Sequence, residues 1–111
     1  IINNNEIKNF LRSRGFKNLK LTDFNFQNQI NIFRNAKLII GPHGAGFANL
    51  VFCKKGTKVI EIKPSNHPNR VYETISKINK LNYSLIKLKP IKNNNKGDMI
   101  LKKEMLNKFL N

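Results

Sequence analysis

The stretch from Leu38 to Ile62, LIIGPHGAGFANLVFCKKGTKVIEI, constrains the fold more than any other part of the chain. Leu38–Ile40 and Lys58–Ile62 are apolar runs of strand length, the pattern of strands covered by helices on both faces, as in parallel sheets. Between them lie a glycine-rich turn and Ala45–Phe52, which is apolar almost all round and predicts a short buried helix broken at Gly56. Gly41, Gly44 and Gly46 are expected to let the backbone turn sharply and approach a ligand closely. Strand, glycine turn, helix and second strand in that order build a crevice that accepts phosphate.

The remaining sequence extends this alternation. Ile7, Phe10 and Leu11 share a helical face ahead of Gly15, predicting a helix from Asn5 to Arg14 with Gly15 as its cap. Leu19 and Leu21 alternate with Lys20 as in a half-wet strand. Phe26, Ile30 and Phe33 predict an amphipathic helix ending near Ala36. Pro64 halts strand pairing after Ile62, Pro68 opens the next helix, and Val71, Ile75 and Ile78 mark that helix's buried face. Tyr83–Leu88 predicts a fourth strand, Lys89–Gly97 a polar loop, and Leu101, Met105 and Phe109 a terminal helix. The expected fold is α/β, a three-layer, Rossmann-like open sheet, mainly parallel, with about four strands and helices on both faces. Ile1-Ile2 reads as the stub of an upstream strand.

A chain of 111 residues is expected to form a single domain spanning 1–111, too small for two cores. No apolar run approaches the roughly 20 residues of a membrane-spanning helix, and the N-terminus lacks the apolar stretch of a signal peptide. The single cysteine, Cys53, excludes an internal disulfide, lacks a nucleophile's setting and reads as a small packed apolar group. The net charge of +15 suits a partner carrying phosphate. Its lysines are scattered, with only Lys54-Lys55 and Lys102-Lys103 adjacent, so no specific nucleic-acid face is expected. A basic nucleic-acid or polyanion-binding module stays open as an alternative, as does an inactive truncated scaffold that forms a homodimer through an exposed sheet edge.

The chemistry concentrates at the GPHGAG turn, Gly41–Gly46. Ligands of open parallel sheets bind beyond the carboxyl ends of the strands, where helix N-termini offer unpaired amides. The glycines fall as GxxGxG, unlike the dinucleotide GxGxxG, and the GK[ST] ending of a P-loop is missing. Tight helix-sheet packing would also explain the glycines. His43 can donate to a phosphate or sugar oxygen, or bond to local backbone. Asn49, on an apolar helix, either fixes the turn or reaches a ligand. Glu61, flanked by isoleucines, needs a donor that a ribose diol would supply. Arg70 can clamp a diphosphate from the same rim, beside His67 and Asn69, whereas Gln29 and Arg34 read as water-facing. His43 and His67, distant in sequence and without an acidic cluster, give no reason to expect a metal.

These residues resemble the family-61 glycosyltransferases, which include bacterial polysaccharide enzymes and eukaryotic xylosyl- and N-acetylglucosaminyltransferases. GPHGAGFANLVF, Gly41–Phe52, resembles the family's GxHGAGLxNxxF signature, with Phe47 in place of the usual leucine. GTKVIEI, Gly56–Ile62, resembles the segment that follows, and NNNEI, Gly15-Phe16 and FQNQINIFRNAKLIIG resemble the segments before it. The likeness covers roughly Asn3–Leu88. It implies the C-terminal, nucleotide-sugar-binding half of a two-domain GT-B enzyme, inverting and without an obligatory metal or other cofactor. The donor it implies is a UDP-sugar. The acceptor is a glycan, held by an N-terminal domain absent from this chain, in bacterial capsule or lipopolysaccharide synthesis. The implied location is cytoplasmic, peripheral to the inner membrane. His43, Gly44, Ala45, Gly46 and Asn49 match the signature and inherit donor binding, His43 also a catalytic role, and Glu61 matches the VIEI position.

Overall fold

The computed structural model describes residues 4–65, 67, 69–88 and 103–110, and within these the side chains of Asn4, Ala45, residues 103–105 and Phe109 are left undescribed. The expectations for Ile1-Ile2, Pro68 and Lys89–Gly97, and the face given to Leu101, Met105 and Phe109, lie outside what is described.

The elements run α1 (Asn4–Ser13), α2 (Phe26–Asn35), β1 (Leu38–Pro42), β2 (Lys58–Pro64), α3 (Val71–Ile78), β3 (Asn82–Leu88) and α4 (Lys103–Leu110). Two 3-10 helices, Leu21–Asp23 and Ala45–Phe52, interrupt the series. The sheet runs β1-β2-β3. β1 and β2 are parallel, with Leu38 opposite Lys58, Gly41 opposite Glu61 and Pro42 opposite Ile62. The Asn82 amide donates to the Thr57 carbonyl at one end of β3, and the Ser65 amide donates to the Leu88 carbonyl at the other, so β3 also runs parallel to β2. The fold is thus α/β with a small parallel sheet and helices, consistent with a Rossmann-like open sheet. Three strands are present among the described residues, not four. Leu19–Leu21 is not a strand: Leu19 is exposed and Leu21 opens the first 3-10 helix, so the alternation had no sheet neighbour to pair with.

The chain divides into two compact units. One comprises 20–63 and 67–86. Its core gathers Phe33, Phe47, Leu50, Cys53, Val59 and Tyr72, with Leu21, Ile32, Ile39, Ile75 and Tyr83 packed against them. Cys53 packs as an apolar group, as expected, at 8 % exposure. The central position of β2 explains its burial on both faces from Val59 to Lys63. α2 starts where the Asn25 side chain accepts from the Asn28 amide, an N-cap that satisfies one orphan donor. Its buried residue is Phe33, whereas Phe26 is exposed and meets Phe52 edge-on at 6.0 Å.

Two further expectations are corrected here. The Ala45–Phe52 segment is a 3-10 helix buried along one face only, where Phe47, Leu50 and Cys53 recur every third residue and Val51 faces out. α3 buries Tyr72 and Ser76, while Val71 and Ile78 are exposed. The Asn79 side chain after its last turn donates to the Leu50 and Val51 carbonyls and ties α3 to the 3-10 helix.

The other unit comprises 1–19, 64–66 and 87–111. Ile7 of α1, Leu88 of β3 and Leu106 of α4 are buried, and Arg14 donates to the Asn107 side chain at 2.6 Å. Gly15 caps α1 at φ 91°. The Phe16 amide bonds the Leu11 carbonyl and the Gly15 amide bonds the Arg12 carbonyl, the paired bonds of a Schellman motif.

Candidate functional site

The site lies within the first of these units, at the carboxyl ends of β1 and β2. Parallel register places Gly41 beside Glu61, and His43, two residues further along, points to the same side as Gly41. The His43 imidazole thereby reaches the Glu61 carboxylate, Nδ1 to Oε2 at 2.6 Å. The Tyr83 hydroxyl, from β3, donates to the other oxygen, Oε1, at 2.5 Å. Glu61 is 1 % exposed, so a charge that would be costly alone is held by two donors from flanking strands. Burial first, then the hydrogen bond and charge of Glu61, push the Tyr83 phenol far above its ordinary range.

This arrangement corrects the expectation for Glu61. Its donors are His43 and Tyr83 of the same chain, and no ribose diol is needed to satisfy it. Glu61 therefore acts through His43, fixing its ring.

Aromatic neighbours hold that ring from other directions. The His67 ring lies 4.3 Å from His43 and Tyr72 lies 4.9 Å away, with Tyr72 leaning on Phe47 at 5.6 Å. His67 was separated from His43 by sequence alone; the loop after β2 folds it back. No group of three or more His, Cys, Asp or Glu among the described residues has the geometry to hold a metal.

The glycines divide by role. A Cβ at Gly41 would sit 3.3 Å from the Phe47 ring, and one at Gly46 would sit 2.9 Å from a Leu21 methyl, so packing accounts for both. None of the three turn glycines has a φ in the left-handed region between about +20° and +160°, which corrects the sharp-turn rationale; Gly15 and Gly56 alone among the described glycines do. Gly44 is extended, φ 174°, and a Cβ there would meet only the Pro42 carbonyl oxygen at 3.9 Å. Neither backbone geometry nor packing demands a glycine at 44. What its hydrogen leaves is open space beside the start of the 3-10 helix.

The backbone donors divide similarly. The His43 amide is taken by the Ile62 carbonyl at 2.8 Å, extending the sheet ladder. It is therefore not one of the bare amides expected of the turn. The Phe47 amide donates to the Gly44 carbonyl, closing the first helical bond, which leaves the amides of Gly44, Ala45 and Gly46 ahead of the helix ladder.

Asn49 donates to the Gln29 side chain at 3.1 Å, and Gln29 in turn donates to the Leu21 and Phe24 carbonyls. Asn49 thus ties the 3-10 helix to α2, and Gln29 is a half-buried bridge rather than the water-facing residue expected. Arg34 is exposed, as expected. Arg70 is exposed immediately ahead of α3, and its carbonyl accepts from Thr74. Lys63, absent from the sequence reading, is 3 % exposed and donates from Nζ to the Asn69 carbonyl at 2.7 Å. Strand alternation puts Lys63 on the same face as Glu61, a signal available in sequence. Tyr72, Tyr83 and Gln29 carry no comparable local signal.

The sequence profile of the family described as Glycosyltransferase 61 matches residues 1–60. A β-1,2-xylosyltransferase, RCN11, of Oryza sativa subsp. japonica is 36% identical over 64 residues, covering 58% of this chain and 12% of its own length. An EGF domain-specific O-linked N-acetylglucosamine transferase of Gallus gallus is 28% identical over 88 residues, covering 75% of this chain and 16% of its own length. The chain therefore spans less than a fifth of either relative. No solved structure matches it.

Proposed function

The chain belongs to glycosyltransferase family 61, and from that premise we propose that it forms the nucleotide-sugar-binding part of a larger enzyme. That enzyme transfers a sugar from a nucleoside diphosphate donor to a glycan. The observation that carries this reading is the His43 imidazole, fixed by buried Glu61 beside a Gly44 that no packing or backbone constraint requires. Turn amides with no partner among the described residues, at the carboxyl ends of parallel strands, suit the oxygens of a diphosphate, and the imidazole beside them suits a hydroxyl or protonated oxygen of the same ligand.

The two relatives carry different sugars in their names, xylose and N-acetylglucosamine, and match 58% and 75% of this chain, so their matches overlap. A segment common to both is suited to the part of the donor that does not vary, the nucleoside diphosphate. UDP is the donor nucleotide in this reading, and Arg70, exposed ahead of α3, is a further cation for its phosphates.

Transfer with inversion requires a base for the acceptor hydroxyl and donors for the departing diphosphate. The turn amides supply the second function, while His43, whose Nδ1 hydrogen is held by Glu61, accepts at Nε2 from a hydroxyl or protonated oxygen of the donor. The base and the acceptor-binding wall belong to the rest of a GT-B enzyme, so the 111-residue chain alone binds UDP weakly and transfers little or no sugar. We place the whole enzyme in bacterial capsule or lipopolysaccharide assembly at the cytoplasmic side of the inner membrane. No described helix is long and apolar enough to cross a membrane.

Titration of the chain with UDP, followed residue by residue by NMR, tests the reading. Shifts centred on His43, Gly44 and Gly46 are expected. A spectrum in which these residues stay still at millimolar UDP overturns it.

A further inference from the structure

We propose that His67 is a second ligand-binding residue of the site, presenting an Nε2–H donor beside the bare Nε2 of His43; this rests on reading the site as a nucleoside diphosphate pocket. The two rings are neighbours, with centroids 4.3 Å apart and planes tilted by 48°. What separates them chemically is the partner each has at Nδ1.

His43 meets a carboxylate oxygen there, at 2.6 Å. A carboxylate only accepts, so His43 carries its hydrogen on Nδ1, and in the neutral ring Nε2 holds a lone pair. His67 meets a backbone amide instead, the N–H of Asn69 donating to Nδ1 at 3.2 Å. That Nδ1 must therefore be bare, and the hydrogen of His67 sits on Nε2. The pair is held in opposite tautomers, one Nε2 accepting and the other donating.

Neither Nε2 has a partner among the described residues. Ser76 Oγ is the buried side-chain polar atom left unpaired among the described residues, so neither imidazole Nε2 is sealed in the interior. Both remain available to a ligand.

The element that fixes the His67 tautomer is itself fixed. Lys63 is buried and donates to the Asn69 carbonyl at 2.7 Å, and the Asn69 side chain accepts from the Val71 amide at 2.8 Å. Asn69 is thus tethered through both its carbonyl and its side chain, next to the N–H that addresses His67. A donor positioned before its ligand arrives loses less entropy on binding. The ligand chemistry that suits this pair is a phosphate oxygen on His67 next to a hydroxyl or a protonated phosphate oxygen on His43. A nucleoside diphosphate carries phosphate oxygens and ribose hydroxyls within that reach.

Two measurements on the full 111-residue chain test the proposal. Long-range 1H–15N correlation reads the tautomers directly, with His43 expected as Nδ1–H and His67 as Nε2–H; finding His67 protonated at Nδ1 in its neutral form overturns the assignment. UDP is then titrated into the wild-type chain and into His67→Ala and His67→Gln. The His67 ring nitrogens are expected to shift, His67→Ala to bind about tenfold more weakly, as for one lost hydrogen bond to a charged group, and His67→Gln to recover part of the loss. Shifts at Gly44 and Gly46 with a silent His67 ring and unchanged affinity in His67→Ala would sink this inference and leave the site reading standing. Silence at all of them sinks both. The wild-type ring shifts decide the matter even where a variant fails to fold.

Discussion

His43 Nδ1 stands 2.6 Å from Glu61 Oε2, joining the residue just past β1 to the buried middle of β2. The contact exists because parallel register sets Gly41 against Glu61 and leaves that side of β1 without a side chain. The Phe47 ring takes the space beside Gly41, and His43 reaches Glu61 one pleat further on.

Breaking this network at either end is expected to destabilise the fold. Glu61→Gln exchanges a carboxylate that accepts from two sides for an amide that accepts at one oxygen, and Tyr83→Phe strands Oε1 in the interior. Each is expected to cost about 1–3 kcal/mol by urea denaturation, the range for a buried polar group left unpaired. Losses below about 0.5 kcal/mol in both variants would show the network to be energetically idle.

Alkaline pH is expected to weaken the fold through Cys53 and Tyr83. Burial raises the Cys53 thiol from 9.0 to about 11, and the Tyr83 phenol is raised from its ordinary value of 10.0 in the same direction. The native state thus holds protons that the unfolded chain releases. Stability from these groups is complete below about pH 9 and is lost as pH climbs toward and past 11. Melting curves of the wild type and a Cys53→Ala/Tyr83→Phe double variant check this: the wild type should lose more stability over that window. Parallel curves would refute it.

Alanine at the turn glycines should separate packing from ligand space. Gly41→Ala drives a Cβ to 3.3 Å from the buried Phe47 ring, and a cost of about 1–3 kcal/mol is expected for such overpacking. Gly44→Ala meets nothing closer than 3.9 Å, so its melting temperature should match the wild type while its UDP affinity falls. Full UDP affinity in Gly44→Ala removes the case for a ligand beside that residue.

Salt discriminates a pocket from a basic surface. A chain of net charge +15 that used its lysines on a nucleic-acid backbone through 6–10 phosphate contacts would lose about 1,000-fold or more in affinity between 50 and 200 mM salt. Binding of UDP at the His43 turn involves two phosphates, so a loss of less than about tenfold is expected over the same range. Fluorescence titrations with UDP and with a double-stranded oligonucleotide, side by side, measure both slopes.

The α/β order, strands β1, β2 and β3 and the location of the turn were legible along the chain, because each rests on local rules. Apolar runs of strand length, helical spacing of apolar residues and a glycine after α1 act within a few residues of themselves. The GPHGAG signature pointed to His43 and Gly44 in the same way. Where periodicity misled, a neighbour was responsible. Leu19 and Leu21 alternate as a strand does, yet no strand lies beside them. Val71 and Ile78 sit at helical spacing, yet Tyr72 takes the interior because it packs against both Phe47 and His43.

Sequence by itself therefore determined the order of elements from α2 onward, the place of the glycine turn and the family. Tertiary structure alone decided that Glu61 serves His43 and Tyr83, that Gln29 receives Asn49, and that His67 returns to His43 across a gap of 24 positions. The physical reason is register. Hydrogen bonds between strands, and loops tethered by a buried lysine, set which distant side chains share a few ångströms, and no local propensity encodes that distance.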